Sequence, residues 1–101
     1  MSLQIPRDRI AEFCRRRNIA ELALFGSVLR NDFRSDSDVD VLVTFTPNAL
    51  HSLFDLAEMR EELKNIFGRE VDLVEKAALR NPFRRSHILK NMEVVYGSRE
   101  S

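Results

Sequence analysis

The sequence predicts an α/β (or α+β) fold in which helices cover a β-sheet. Three observations support this. Some segments alternate apolar and polar residues as strands do, others carry the apolar stripe of a helix, and the two kinds of segment alternate along the chain. In order, the predicted elements are helix 6–18, strand 19–25, a short helix 27–33, strand 38–45, helix 52–67, strand 70–75, helix 82–92 and strand 94–96. With 101 residues we expect one domain, residues 1–101, with a single core.

Capping residues mark the ends of the predicted helices. Pro6 suits the first turn of the first helix, and Asn18 can close it. Ser52 and Asp55 have the spacing of a capping box at the start of the long helix, and Gly68 is a typical C-terminal stop. Four of the seven phenylalanines are expected in the core; these are Phe13, Phe25, Phe54 and Phe67.

The strands differ in the strength of their pattern. Strand 38–45 is β-branched and alternating, and Pro47 follows it, so it is the best strand in the chain. Strand 70–75 is similar, whereas strand 19–25 is rich in Leu and Ala, which favour strands less. Strand 94–96 is expected at an edge of the sheet.

Composition excludes several classes of function. The formal net charge is zero, so no global field attracts nucleic acid or an anionic membrane, and direct nucleic-acid binding is not expected. Apolar runs are only a few residues long, and the N-terminus lacks a signal-peptide core, so we expect a cytoplasmic protein without a membrane segment. A single cysteine excludes a zinc site built on several cysteines.

Two aspartates lead into the best strand. Asp38 and Asp40 point in the same direction, about 6.6 Å apart along the chain, and the valines between and after them fill the opposite face. Two such carboxylates repel each other at the edge of a core, and a divalent cation would offset that repulsion. Hard oxygen ligands suit Mg²⁺ or Mn²⁺, so the pair predicts a metal site.

Two further features fit the same site. Asp72 is an acid between apolar residues, and if its strand were a neighbour it could complete a three-carboxylate cluster for two metals, or for one metal and a general base. Gly26 allows close approach to the backbone, and a helix that begins at Ser27 would direct free N–H groups at a phosphate. Together these features describe a nucleoside triphosphate site.

Each feature alone has a simpler interpretation. A Gly-Ser pair is usually a turn, the Ser-Asp-Ser-Asp run is usually a solvated loop, and a lone acid in a strand can face water. Two rival motifs fail: a calcium-binding EF-hand loop would need Gly and Glu where Val41 and Pro47 stand, and a Walker phosphate loop would need Gly-Lys-Ser/Thr.

The spacing Gly26-Ser27, ten residues, Asp38-x-Asp40 resembles the pattern of the DNA polymerase β-like nucleotidyltransferases, and most closely their minimal nucleotidyltransferase (MNT) group. The resemblance implies a nucleotidyltransferase fold with a mixed sheet flanked by helices. It assigns Gly26 and Ser27 to the triphosphate, and Asp38, Asp40 and Asp72 to catalysis with two Mg²⁺ ions. Arg30 is then a phosphate contact, or else an ion-pair partner of the acidic residues near it.

The resemblance also implies a function. An enzyme of this group transfers a nucleoside monophosphate, AMP from ATP, to a hydroxyl, here a tyrosine of a partner HEPN toxin, and so acts as its antitoxin. Because the chain has the length of a catalytic unit alone, we expect a partner protein or self-association to position the acceptor. Two alternatives remain: a module that binds nucleotide or toxin without catalysis, and a small-molecule nucleotidyltransferase.

Overall fold

A computed structural model describes residues 5–26 and 38–97. In chain order the elements are α1 (Arg7–Arg16), β1 (Ile19–Phe25), β2 (Val39–Phe45), α2 (Leu53–Phe67), β3 (Val71–Glu75), a 3₁₀ turn (Lys76–Ala78), α3 (Pro82–Lys90) and β4 (Glu93–Tyr96). The predicted short helix 27–33 lies outside the described residues. Within the described ranges, no helix combines the length and the apolar character needed to cross a membrane.

The four strands form one mixed sheet in the order β3-β2-β1-β4. β1 runs antiparallel to both of its neighbours, β2 and β4. β2 and β3 are parallel and are joined through α2, since parallel neighbours need a crossover connection. The predicted fold class, a mixed sheet flanked by helices, is confirmed, and β4 is an edge strand as expected.

Both faces of the sheet carry apolar side chains. The larger cluster lies on the face covered by α1 and α2; among its fully buried members are Ile10, Phe13, Leu22, Val41 and Leu63. A smaller cluster on the opposite face contains Phe25, Leu42, Leu79 and Ile88, the last of these from α3. Because side chains alternate along a strand, the residues next to Val41 in β2 face the smaller cluster.

Helix α2 has the predicted caps but not all of the predicted core. The Asp55 amide donates to Ser52 Oγ (3.2 Å), and the Ser52 amide donates to Asp55 Oδ2 (2.9 Å), which completes the capping box. Gly68 ends the helix with φ at 70°. The prediction that Phe54 lies in the core is wrong, because this side chain is 84% exposed. Phe54 is about 200° around the helix from Leu56, which packs against the core.

An ion-pair network joins α1 to α2. Arg17 Nη2 lies 2.7 Å from Glu62 Oε1, and Arg16 Nη1 lies 3.0 Å from Glu62 Oε2. Asn18 follows with φ at 58°, the left-handed conformation that closes α1 and that asparagine tolerates better than most residues. The chain then enters β1, whose far end approaches the predicted site.

Candidate active site

The parallel register of β2 and β3 brings two of the predicted acids side by side. Asp40 of β2 is the Cα partner of Asp72 of β3, and adjacent strands of a sheet are about 4.8 Å apart. Both acids alternate with residues of the larger core cluster, so both lie on the opposite face, together with Leu42 and Val74. The two strands are therefore neighbours, which is the condition on which the predicted acid cluster depends.

Asp38 is placed differently from Asp40. It precedes the first residue of β2 and is exposed, whereas Asp40 lies within the strand and is half-buried. Among residues 5–26 and 38–97, no group of three or more His, Cys, Asp or Glu side chains could hold a metal ion in the positions they occupy. The metal-binding and catalytic roles of Asp38, Asp40 and Asp72 thus stay predictions.

Gly26 lies directly against the Asp40 carboxylate. Phe25, the last residue of β1, is the register partner of Asp40, so the next residue turns past the acid. Gly26 has φ at +76°, and a Cβ placed on it would come within 3.0 Å of Asp40 Cγ and would overlap Asp40 Oδ2. Glycine is required here by the approach of the backbone to the acid as well as by its φ.

The Gly-Ser pattern alone predicts an approach of backbone to phosphate and gives no sign of this contact with Asp40. The contact between Gly26 and Asp40 leaves only a weak signal in the sequence. It depends on the antiparallel register of β1 and β2, which places Phe25, the last residue of β1, opposite Asp40, the second residue of β2. The remaining predicted nucleotide contacts, Ser27 and Arg30, lie outside the described residues, and their roles stay predictions.

Helix α2 holds the start of β3, close to Asp72. The Val39 amide donates to the Glu70 carbonyl (2.9 Å), which joins the first residue of β2 to the residue before β3. Arg60 of α2 donates from Nε to the Val71 carbonyl (2.8 Å). Nothing in the sequence pattern singles out Arg60, which lies at the margin of the apolar stripe of α2.

The donor chemistry of this edge fits a divalent cation. Carboxylate oxygens from Asp40 and Asp72 lie on one face of neighbouring strands, Asp38 lies two residues before Asp40 in the chain, and Mg²⁺ and Mn²⁺ prefer such oxygens. Because Gly26 has no side chain, its backbone can lie directly against the Asp40 carboxylate, which occupies the space that a Cβ would fill. A metal held by such acids next to a phosphate group is the arrangement that phosphoryl chemistry requires.

Comparison with protein families gives a match over most of the chain. The family model described as "Nucleotidyltransferase domain" matches residues 7–95, a range that spans every element from α1 to β4 and contains Gly26, Asp38, Asp40 and Asp72. The chain belongs to the nucleotidyltransferase domain family. The resemblance noted in the sequence is therefore confirmed, as is the assignment to nucleotidyltransferases.

Curated relatives of this nucleotidyltransferase are protein adenylyltransferases. The chain is 38% identical over 85 residues to the protein adenylyltransferase MntA of Thermococcus cleftensis, with 84% of this chain and 81% of the relative covered. It is 34% identical over 77 residues to a candidate protein adenylyltransferase of Methanocaldococcus jannaschii, with 76% and 77% covered.

Solved structures share the fold of this nucleotidyltransferase. A candidate minimal nucleotidyltransferase superposes with a TM-score of 0.70 at 32% identity, covering 85% of both chains. A toxin-antitoxin crystal structure with AMP-PNP gives 0.75 at 18% identity, covering 94% of this chain and 76% of the other. A complex of tri-AMPylated Shewanella oneidensis HEPN toxin with MNT antitoxin gives 0.66 at 17%, covering 91% and 70%. The last two matches, at low identity, support the fold alone.

Proposed function

We propose that this nucleotidyltransferase transfers AMP from ATP to a hydroxyl group, that the acceptor is a tyrosine of a HEPN toxin, and that the chain acts as the antitoxin. The observation that carries the proposal is the register that sets Asp40 beside Asp72, with Gly26 against the Asp40 carboxylate. The similarity to a protein adenylyltransferase at 38% identity supports the choice of AMP.

The transfer is an in-line substitution at the α-phosphorus of ATP. The acceptor oxygen forms the new bond to phosphorus while the bond from phosphorus to the bridging oxygen breaks, and that bond's electron pair leaves with pyrophosphate. A carboxylate oxygen of Asp72 takes the proton of the attacking hydroxyl. Asp72 suits this role because its side chain is exposed at the edge of the sheet, where a hydroxyl on a second protein can reach it.

The triphosphate binds where β1 ends. The backbone of Gly26 lies against the Asp40 carboxylate, and we assign Gly26, Ser27 and Arg30 to the phosphates on the motif alone. Asp38 and Asp40 would hold Mg²⁺ or Mn²⁺; in the alternative with two ions, Asp72 would be a ligand of the second ion instead of the proton acceptor. When bound, these ions neutralise the charge that develops on the phosphate oxygens and the leaving group.

A HEPN partner is supported by two observations. One solved neighbour is a tri-AMPylated HEPN toxin in complex with an MNT antitoxin, and it covers 91% of this chain. The second observation is the exposure of Asp72, because no described element covers its side chain and a partner can approach there. Self-association in addition to the HEPN contact is also part of the proposal.

The proposal is tested by label transfer. The protein is incubated with α-labelled ATP, Mg²⁺ and the HEPN protein encoded next to its gene, and the label on the HEPN chain is followed. Transfer is expected with the wild type. In Asp38→Asn and in Asp40→Asn it should fall by at least about 100-fold, because each substitution removes a charged ligand of the reacting phosphate site. A Glu58→Gln variant is the matched control, since this exposed acid of α2 lies in the helix on the opposite face of the sheet.

The same experiment separates catalysis from binding. If toxin neutralisation persists in Asp38→Asn and Asp40→Asn while label transfer is lost, the chain neutralises the toxin by contact, and the proposal that catalysis carries the antitoxin role is wrong. Label on a small molecule instead of on protein would indicate the third class considered above. Mass spectrometry of the HEPN chain then locates the modified residue, and a site other than tyrosine would contradict the acceptor assignment.

A further inference from the structure

We infer that Arg60 is a positioning residue that holds the start of β3, and thereby the Asp72 carboxylate, in place beside Asp40. The inference rests on the proposed function, in which Asp72 takes part in the transfer. It adds a residue on the face of the sheet opposite to the acids, since Arg60 belongs to α2 and acts on Asp72 only through the backbone of β3.

The contact of Arg60 is made to an edge carbonyl. β3 is the outer strand on its side of the described sheet, so every second backbone group points away from β2. The Glu70 carbonyl accepts from Val39 of β2, and because carbonyls alternate in direction, the Val71 carbonyl points outward. Arg60 Nε donates to this outward carbonyl at 2.8 Å, a charge-assisted hydrogen bond to the residue that precedes Asp72.

Glu70 gives α2 a second hold on the same segment. Its Oε1 lies 3.3 Å from Arg60 Nη2, and its Oε2 lies 3.1 Å from Lys64 Nζ. Arg60 and Glu70 are about half exposed and Lys64 is partly exposed, so each ion pair contributes little by itself. The hydrogen bond to the Val71 carbonyl is partly buried and fixes the backbone directly, so we expect it to dominate.

Loss of the Arg60 contact would loosen the first residues of β3, which is a short strand. β3 has five residues, and Asp72 is the second of them. On its inner side the segment is held by the ladder to β2, and on its outer side by Arg60. Ends of strands with exposed backbone groups open most readily, and opening here would separate the Asp72 carboxylate from Asp40. A displacement of about 1 Å in a reacting group can reduce a rate substantially.

Three matched substitutions test the inference, each replacing a long cationic side chain by an unbranched neutral one. Arg60→Met removes the carbonyl contact and the ion pairs with Glu70 and Glu61. Lys64→Met removes only the ion pairs to Glu70 and Glu61. Arg16→Met removes an ion pair between α1 and Glu62 that does not involve β3. A fourth variant, Arg60→Lys, keeps a cationic donor and should recover most of what Arg60→Met loses.

The first readout is amide hydrogen exchange without nucleotide. In Arg60→Met, amides of β3 are expected to exchange about tenfold faster, since one charge-assisted hydrogen bond on a half-exposed side chain is lost. In Lys64→Met and Arg16→Met the change in β3 should stay below about twofold. Equal exchange of β3 in Arg60→Met and Arg16→Met would overturn the inference.

The second readout is steady-state label transfer. Arg60→Met should lower kcat about tenfold and leave KM for ATP within about twofold, because the triphosphate end of the site is built on β1 and β2. Combining Arg60→Met with Asp72→Asn should give the rate of Asp72→Asn alone, since Arg60 acts through Asp72. If the two reductions in kcat multiply in the double variant, Arg60 acts independently of Asp72 and the inference is wrong.

The two readouts separate this inference from the proposed function. If Asp38→Asn and Asp40→Asn transferred label normally, the proposed function would fail, while the exchange measurement would still decide whether Arg60 holds β3. If those variants were inactive and Arg60→Met kept both its kcat and its β3 protection, only the inference would fail.

Discussion

At the scale of the residue, Gly26 shows most directly how backbone conformation and site chemistry are joined. Its φ of +76° lies in the region that L side chains rarely adopt, and the space where its Cβ would stand is occupied by the Asp40 carboxylate. The same glycine therefore turns the chain out of β1 and lets its backbone lie against this carboxylate. Any side chain at position 26 would therefore disturb both the turn and the position of the Asp40 carboxylate.

Gly26→Ala is expected to lower the free energy of unfolding by about 2 kcal/mol or more, from the strained φ together with the displaced Asp40 side chain. ATP binding should weaken in parallel. Urea unfolding and equilibrium ATP titration measure the two effects. Gly68→Ala is the matched control: its φ of +70° is equally strained, but nothing lies within 4 Å of the added Cβ, so it should lose only about 1 kcal/mol and bind ATP normally. If the two variants lose the same free energy of unfolding, the contact with Asp40 does not contribute to the effect of Gly26→Ala.

At the scale of the element, the contact between α1 and α2 depends on Glu62. Burial acts to raise the pKa of this carboxyl, but hydrogen bonds and charges from Arg17 and Arg16 together outweigh burial and lower it. A group whose pKa is lowered by folding stabilises the folded state above its unfolded pKa and loses that contribution as the pH falls through its folded pKa. The interaction of Glu62 with the two arginines therefore stabilises the fold at neutral pH. It does so progressively less as the pH falls below 4.5, the ordinary pKa of a glutamate.

Glu62→Gln should reduce the free energy of unfolding by about 1 kcal/mol at pH 7, since it removes a charge held by two arginines. The difference from the wild type should shrink as the pH is lowered below 4.5, where the wild-type carboxyl becomes protonated. Urea unfolding at a series of pH values measures it. Glu58→Gln is the control, because this carboxylate is 67% exposed and 3.6 Å from Arg17, and little change is expected. A difference that does not vary with pH would contradict the electrostatic explanation.

At the scale of the whole molecule, the order of strands divides the acids of the candidate site between an inner strand and an outer strand. β1 and β2 are the inner strands of the described sheet, while β3 and β4 have one free edge each. Asp40 is therefore on a strand paired on both sides, and Asp72 is on a strand paired on one side. The rigid half of the site would bind the triphosphate, and the less constrained half would meet the acceptor.

Hydrogen exchange across the whole chain should follow this order. Amides of β1 and β2 are expected to be the slowest, with rates that track global unfolding, and those of the four-residue β4 to be the fastest of the strands. Exchange measured by mass spectrometry at several low denaturant concentrations tests this, because only globally protected amides respond strongly to denaturant. A β4 as protected as β2 would contradict the prediction.

The elements and most of the core could be predicted from sequence, because they depend on local patterns. The capping box of Ser52 and the glycine stop at Gly68 are recognisable from residues a few positions apart, and both are present. Phe54 could not be placed, because the orientation of α2 about its axis is set by what it packs against. Its neighbour Leu53 is also 82% exposed, although it continues the apolar stripe of the helix.

By itself, the sequence determined the order of helices and strands, the alternation that puts Asp40 and the valines on opposite faces, and the motif that identifies the family. Each of these depends on residues close together in the chain. Only the tertiary structure decided that β2 and β3 are neighbours in the register that pairs Asp40 with Asp72, that Gly26 lies against Asp40, and that Arg60 donates to the Val71 carbonyl. These depend on hydrogen bonds and packing between segments far apart in the chain, which local patterns do not specify.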